Sequence, residues 1–330
     1  MTTLTTLMNW TEADAALERA SSIILVTHVS PDGDAIGSLL GLMHALRERG
    51  KSVEVAVDGG VPDNLRFLPG CEAVMPKLTV GRWDLMISLD ASDEERTGLV
   101  GAYARAHSGL VINLDHHPTN TLFGDVHLVD PLAVAAAEIV LCWLERSGQP
   151  PSQASAHALL TGLVTDTLGF RTANVKPETM GQAQRLMEAG APLAEIVAQT
   201  LVDKPYSSLL VWKSALPSLA LEDGIISAVV ARDNLREAGL RDTTDGGLIS
   251  TLSAITEAAI AVVFKELEDG RVEISMRSKP GYDVSGVALA LGGGGHKQAA
   301  GATVDGPLLE ARERVLALLR TAHEQANVSA

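Results

Sequence analysis

Four short apolar runs in the first half of this chain each lead, within two residues, into an acidic or histidine side chain. Ile23 to Val26 opens onto the cluster His28 to Asp34, and Lys51 to Val57 alternates and stops at Asp58-Gly59-Gly60. Trp83 to Leu89 ends at Asp90, and Leu110 to Leu114 ends at Asp115. Compact runs bounded by turn residues read as strands. Helical periodicity fills the stretches at about 34–50, 133–146 and 155–165. Strands alternating with helices predict an α/β fold with a mainly parallel sheet flanked by helices. In such a sheet ligands bind beyond the carboxyl ends of the strands, where these polar residues fall.

At 330 residues the chain is long for one ordinary domain, so two are expected. From Pro177 to about Leu216 the pattern is helical, interrupted at Gly190-Ala191-Pro192 and Lys204-Pro205, and reads as a connector. Beyond it, Gly224 to Ala231 and Ala258 to Leu267 read as strands. Glu268-Asp269-Gly270 marks a turn, and Arg271 to Met276 completes a hairpin. Val284 to Leu291 is helical and runs into Gly292 to Gly295, and a last helix spans about 307–326. This second part is a smaller α/β domain.

Composition narrows the partners. With 26 basic against 41 acidic residues the net charge is −15, which argues against a broad basic surface for duplex DNA or an anionic membrane. A local phosphate site supplied with positive charge by metal ions remains compatible with it. Cys71 and Cys142 form no C-x-x-C pair and cannot scaffold the chain, so they read as buried, inert thiols. No signal peptide is visible, and the most apolar stretch, Leu132 to Leu144, is broken by Glu138 and too short to span a bilayer. A cytoplasmic protein is the expectation.

Four clusters carry chemistry: His28-Val29-Ser30-Pro31-Asp32-Gly33-Asp34, then Asp90, then Asp115-His116-His117, then Asp166. Carboxylates with a minority of imidazoles and no thiolate suit Mn²⁺ or Mg²⁺. Converging carboxylates repel one another unless cations lie between them, and a two-metal centre is one solution for attack on phosphorus. Each cluster alone has a bland alternative. Asp34 would pass as a helix N-cap, and Asp-His-His as a solvated loop. A calcium loop fails, because Ile36 and Met43 stand where oxygen ligands belong. No G-x-S-x-G, H-E-x-x-H or P-loop spacing occurs. His44, His157 and His323 sit in helical patterns and His107 and His127 outside the motifs, so packing is the better reading for each.

These four clusters resemble the motifs of the DHH phosphoesterase superfamily, and Gly292 to Gly295 with His296-Lys297-Gln298-Ala299-Ala300-Gly301 resembles the signature of the DHHA1 domain. The resemblance covers about residues 20–325 and implies an N-terminal DHH catalytic domain (1–185), a helical connector (186–217) and a C-terminal DHHA1 substrate-binding domain (218–330). It implies two divalent ions, Mn²⁺ first with Mg²⁺ or Co²⁺ as alternatives. His28, Asp32 and Asp90 would hold one, and Asp34, Asp90, His116 and Asp166 the other, with Asp90 bridging. Asp115 would orient the loop, and His117 would face the substrate phosphate. Arg277, Gly293, Gly294, Gly295 and His296 would bind substrate.

Size selects the branch within the superfamily. RecJ-type exonucleases carry an extra oligonucleotide-binding module, membrane-bound cyclic-di-AMP phosphodiesterases add transmembrane segments, and family II pyrophosphatases lack the glycine-rich histidine motif. The compact nanoRNase (oligoribonuclease) type remains. It implies hydrolysis of very short single-stranded RNA or DNA and of 3′-phosphoadenosine 5′-phosphate (pAp), and is compatible with a homodimer. The alternatives are a phosphodiesterase for dinucleotide signals such as pApA, pGpG or c-di-AMP, and an idle nucleotide-binding protein, which intact ligand positions disfavour.

Overall fold

The computed structural model describes residues 6–237, 239 and 244–329, the side chains of Asn234, Glu237, His296, Val328 and Ser329 excepted. The chain divides into two compact units, Met1–Asp203 and Lys204–Ala330. The division falls inside the stretch read as a helical connector.

The first unit is built on a seven-stranded sheet. Its strands are β1 (Leu7–Met8), β2 (Ser22–Val26), β3 (Ser52–Ala56), β4 (Val74–Met75), β5 (Leu85–Leu89), β6 (Val111–Asp115) and β7 (Val126–Val129), in the spatial order β1-β7-β6-β5-β2-β3-β4. All neighbours are parallel except the short β1, which runs antiparallel to β7. The helices are α1 (Trp10–Arg19), α2 (Gly33–Glu48), α3 (Gly98–Ala106), α4 (Ala136–Arg146), α5 (Gln153–Asp166), α6 (Pro177–Glu188) and α7 (Leu193–Val197). Alternation along β2 sends Ile23 and Leu25 into the core on one face and Ile24 and Val26 into that on the other. A strand buried on both faces reads as an unbroken apolar run, which is why it was visible in the sequence. The expected strand at Trp83 begins two residues later, and Trp83 itself makes only an isolated bridge to Ser108.

The strand order reverses between β2 and β5. The chain runs outward from β2 through β3 to β4, then returns to β5 on the other side. Two neighbouring strands whose connections leave in opposite directions open a crevice at their carboxyl ends. His28 follows β2 and Asp90 follows β5, so both lie at that crevice.

Helices α2 and α5 pack antiparallel and unusually close. A Cβ on Gly37 would lie 2.5 Å from the Ala158 carbonyl oxygen and 2.8 Å from the Gly162 nitrogen. One on Gly33 would collide with the Thr165 side chain, and Gly41 lies against Leu159. Glycines spaced four apart line one helix face, so α2 presents a bare stripe to α5. The Ser155 hydroxyl donates to the Gly41 carbonyl at 2.8 Å and closes the far end of the seam. This contact sets the first turn of α2, with Asp34, beside the last turn of α5, with Asp166.

The second unit has a mixed six-stranded sheet in the order β12-β13-β11-β10-β9-β8. Its strands are β8 (Ala220–Glu222), β9 (Ile225–Val230), β10 (Ile260–Glu266), β11 (Val272–Ser278), β12 (Gly294–His296) and β13 (Ala299–Val304). Its helices are α8 (Tyr206–Ala215), α9 (Arg232–Glu237), α10 (Leu248–Ser253), α11 (Ser285–Ala290) and α12 (Leu308–Ser329). The expected hairpin is β10–β11, paired from Ile260 opposite Ser278 to Glu266 opposite Val272. Helices α11 and α12 bury one face through Ile260, Val262 and Phe264, and α8 and α10 bury the other over β9 and β10. Strand β13 is a difference from the sequence reading: its Ala-Ala-Gly-Ala-Thr-Val sequence lacks the β-branched density that marks a strand. Among the described residues no helix is long and apolar enough to cross a membrane.

The glycine seam makes a stability prediction. Gly37→Ala should destabilise by roughly 1–3 kcal/mol, since backbone rather than a side-chain end must move. Gly286→Ala, where nothing lies within 4 Å of the added carbon, should be neutral or slightly stabilising. Urea denaturation of both variants checks the contrast, and equal midpoints would refute the close-packing argument.

Candidate metal centre

The loop after β2 places the first two acids. Asp32, not Asp34, is the N-cap of α2: its Oδ1 accepts from the Asp34 and Ala35 N–H groups, both at 3.1 Å. Asp34 therefore lies inside the first turn and its side chain points inward. Its carboxylate accepts from Ala136 N–H at 2.6 Å and Ala137 N–H at 3.0 Å, the first turn of α4, and from the Ser38 hydroxyl at 3.1 Å. A helix N-terminus carries partial positive charge, which favours a carboxylate at this buried position.

Asp90 sits one residue past β5 with φ at +55°, the left-handed region. A non-glycine residue held there costs of order 1–3 kcal/mol and is retained where surrounding contacts enforce it. Its N–H donates to the Leu114 carbonyl at 2.9 Å, which pins it to the next strand. Its buried Oδ1 has no hydrogen-bond partner, although His116 Nε2 lies 3.5 Å away and His117 Nδ1 3.6 Å away. His28 Nε2 lies 3.7 Å from the other oxygen.

The ring nitrogens facing away from the centre are engaged. His28 Nδ1 lies 2.8 Å from the Val29 carbonyl, and His116 Nδ1 lies 3.4 Å from that of Ala133. With a proton on each Nδ1, both present Nε2 inward as an electron-pair donor. His116 Nε2 also lies 3.8 Å from Asp34 and 3.6 Å from Asp166. These gaps are too long for hydrogen bonds. They are the roughly 3–4 Å separations of ligands around one ion with bonds near 2 Å.

Three sets of side chains have ligand atoms within 4.8 Å of one another: His28 with Asp32 and Asp90; Asp34 with His116 and Asp166; and Asp90 with His116 and His117. All the residues singled out in the first unit thus converge on the crevice, and Asp115 lies behind them. The donor set, the orphaned Asp90 oxygen and the overlap of the sets fit divalent cations.

Electrostatics point the same way. Burial pushes the Asp34 carboxyl well above the usual range, with the charges of Asp90 and Asp166 adding to it. Burial also pushes Asp166 up to about 6, with His116 opposing and Asp90 and Asp32 adding. Burial would raise Asp90 too, but the imidazoles of His116, His28 and His117 facing it outweigh burial and hold Asp90 far below the usual range. For His28 and His116 burial opposes the charge, yet the carboxylates around them raise both rings. Without metal, the imidazoles are the positive charge available to these acids.

Asp115 is fully buried and receives two short hydrogen bonds, from His117 Nδ1 at 2.7 Å and from Asn120 Nδ2 at 2.6 Å. Asn120 also donates to the Ala91 carbonyl at 3.2 Å, so it ties the Asp-His-His loop to the residue after Asp90. Sequence reading missed Asn120. The only available signal was its place five residues beyond Asp115, inside a loop already marked by three polar residues.

In the second unit Arg277, Gly293 and Gly294 line one groove with Ser275 and Gly301. Arg277 lies opposite Ala299 across the β11–β13 pair, and its Nη1 donates to the Met276 carbonyl at 2.9 Å. Gly293 and Gly295 have packing reasons to be glycine: an added carbon would strike the Gly301 and Ala299 carbonyl oxygens, respectively. Gly294 has nothing within 4 Å. Gly295 continues β12, and the side chain of His296 lies outside the described residues.

A switch-point crevice filled with carboxylates and imidazoles defines an α/β protein with a candidate divalent-cation centre. The family profile described as "DHH family, N-terminal domain" matches residues 22–163, and "DHHA1 domain" matches residues 224–325. The chain is 37% identical over 304 residues to the bifunctional oligoribonuclease and PAP phosphatase NrnA of Thermus thermophilus, covering 90% of this chain and 89% of that one. It is 28% identical to the protein of the same name in Bacillus subtilis, covering 94% and 97%. An exopolyphosphatase-related protein from Bacteroides fragilis shares the fold with a TM-score of 0.90 at 24% identity, over 96% of this chain and 97% of that one. This chain belongs to the DHH family, with a DHHA1 domain over residues 224–325.

The Asn120 bridge gives a test of the loop's support. Asn120→Ala should lower metal affinity or turnover about 10–100-fold, the usual cost of losing a group that orients ligand-bearing residues. Metal titration and initial rates read both; wild-type values for each would remove Asn120 from the site.

Proposed function

We propose that this chain is a metal-dependent phosphohydrolase that degrades very short RNA oligonucleotides to mononucleotides and removes the 3′-phosphate of pAp. The observation that carries the reading is 37% identity, across 90% of the chain, to a relative of that named activity, in a chain whose acid and imidazole side chains converge on one crevice. Single-stranded substrates, a cytoplasmic setting and a substrate-binding role for the DHHA1 part, within the boundaries 1–185, 186–217 and 218–330, belong to the same reading. The unpaired Cys71 and Cys142 agree with a reducing compartment.

Two divalent cations, Mn²⁺ foremost, would be held by His28, Asp32 and Asp90 and by Asp34, Asp90, His116 and Asp166. When bound they supply the Lewis acidity that neutralises phosphoryl oxygens and makes water nucleophilic at neutral pH. The chain's own residues do the rest. The Nδ1 contacts of His28 and His116 hold both rings aimed inward. Asp115, bonded to His117 Nδ1, fixes that ring so that a proton carried on Nε2 can be delivered to the leaving oxygen. Arg277 and Gly294 supply a guanidinium fork and unobstructed backbone for a phosphate of the substrate.

Asp90→Ala should bring turnover to near background while the thermal transition persists, and EDTA should do the same to the wild type, with Mn²⁺ restoring activity better than Ca²⁺. Rates on a panel of two- to five-nucleotide RNAs, pAp, pGpG, pApA and c-di-AMP identify the substrate. Preference for the signalling dinucleotides over RNA and pAp would replace the reading. Arg277→Ala should slow RNA hydrolysis by at least about 10-fold yet spare bis-p-nitrophenyl phosphate, because remote binding energy helps only substrates that carry the remote group. Equal losses on both would make Arg277 structural.

A further inference from the structure

The chain that leaves Asp166 does not relax into a loop. Leu168, Gly169 and Phe170 follow one another in the left-handed region, with φ of +51°, +74° and +63°. Two of the three are bulky L-residues, for which this conformation is strained, and such strain persists only when neighbouring contacts over-determine it. They do so here. The Thr167 hydroxyl donates to the Leu163 carbonyl at 2.5 Å and accepts from Phe170 N–H at 2.9 Å. Gly169 N–H donates to the Val164 carbonyl at 2.7 Å, and Arg171 N–H to that of Thr167 at 2.8 Å. Phe170 packs against the main core of the first unit. The segment is a hook folded back on the last turn of α5, the turn that carries Asp166.

The residue this hook delivers is Arg171. Its side chain is exposed, and its Nε donates to the Leu168 carbonyl at 2.6 Å, inside the hook itself. Among the described residues that side chain bonds a backbone carbonyl and no carboxylate. Anchoring Nε fixes the plane of the guanidinium while leaving its outer edge for another acceptor. A fixed planar fork is suited to the oxygens of a phosphate.

We propose that Arg171 is a substrate-positioning residue that binds the phosphate next to the one being cut, the hook serving to hold it at a set place beside the Asp166 end of the metal centre. This rests on the oligonucleotide reading above. The carboxylates and imidazoles of the centre attend only to the scissile phosphate. A neighbouring phosphate brought to an acidic crevice is repelled unless a cation meets it, and Arg171 is carried five residues beyond Asp166 on a strained, tightly bonded turn.

A trinucleotide RNA with a neutral methylphosphonate at the linkage that is not cut tests the contact atom by atom. Arg171→Ala should lower kcat/KM about 10–100-fold on the all-phosphate trinucleotide, the usual worth of a charge-assisted pair, and Arg171→Lys should recover part of it. On the methylphosphonate substrate wild type and Arg171→Ala should be equal, and both should hydrolyse bis-p-nitrophenyl phosphate within about 3-fold of each other with unchanged Mn²⁺ stoichiometry. Equal losses on the chromogenic diester, or lost metal, would make Arg171 a structural residue. Wild-type behaviour on the trinucleotide would make it a solvated side chain. Fluorescence anisotropy with a labelled trinucleotide in Ca²⁺ separates the two readings. Binding weakened by Arg171→Ala in a protein that turns over no RNA would overturn the proposed function and keep the contact, and binding indifferent to the substitution would overturn the contact.

Discussion

Asp34 is the residue on which the first unit's architecture turns. Its carboxylate is buried and caps the first turn of α4 from outside that helix while belonging to the first turn of α2. The third helix is held by exclusion: a side chain at Gly162 in α5 would lie 2.7 Å from Asp34 Oδ1 and equally close to Ala137. Helix α2 and the consecutive pair α4 and α5, far from it in sequence, therefore meet around one carboxylate. Their meeting point is also the edge of the crevice between β2 and β5. The same contacts that complete the core fix where His116, Asp90 and Asp166 stand relative to Asp34. Packing and site geometry cannot be varied separately here.

That coupling explains what could be read from the sequence. Buried parallel strands announce themselves as apolar runs, and their carboxyl ends are local positions, so His28, Asp90 and Asp115 were visible with no knowledge of contacts. Capping was ambiguous. Both Asp32 and Asp34 stand near the start of α2, and only the inward path of Asp34 toward α4, about a hundred residues away in sequence, decides which one caps. The glycine seam of Gly33, Gly37, Gly41 and Gly162 carries no local signature either, because a glycine in a helix lowers propensity whatever its reason. Asn120 and Arg171 stand in loops whose importance lies in which backbone groups they bond. Such bonds are tertiary facts.

The glycine-rich stretch of the second unit teaches a related lesson. Read as a block, Gly292 to Gly295 looks like a phosphate cradle. Residue by residue, Gly293 and Gly295 are glycine because the β13 backbone passes too close for a side chain. Gly294 has open space on the side where a Cβ would stand, so packing does not demand it. Its exposed backbone, with Arg277 lining the same groove, is the part of the motif that packing leaves available for recognition. Packing with β13 accounts for Gly293 and Gly295, and any recognition is left to the groove beside Gly294.

The charge distribution then acquires a physical purpose. A protein of net charge −15 that handles polyanions must create attraction locally, against its own long-range field. The crevice does this by a costly arrangement: Asp34, Asp90 and Asp115 are buried, and burial alone drives Asp34 and Asp166 toward the protonated form. Hydrophobic replacements would relieve that cost, and the imidazoles relieve it only in part. Divalent cations bound there would relieve it further, since ligands already gathered give up their protons and their mutual repulsion on binding. The acids are thus destabilising as a bare set and stabilising as a chelate. A centre built this way draws positive charge to one crevice of a chain whose net charge is strongly negative.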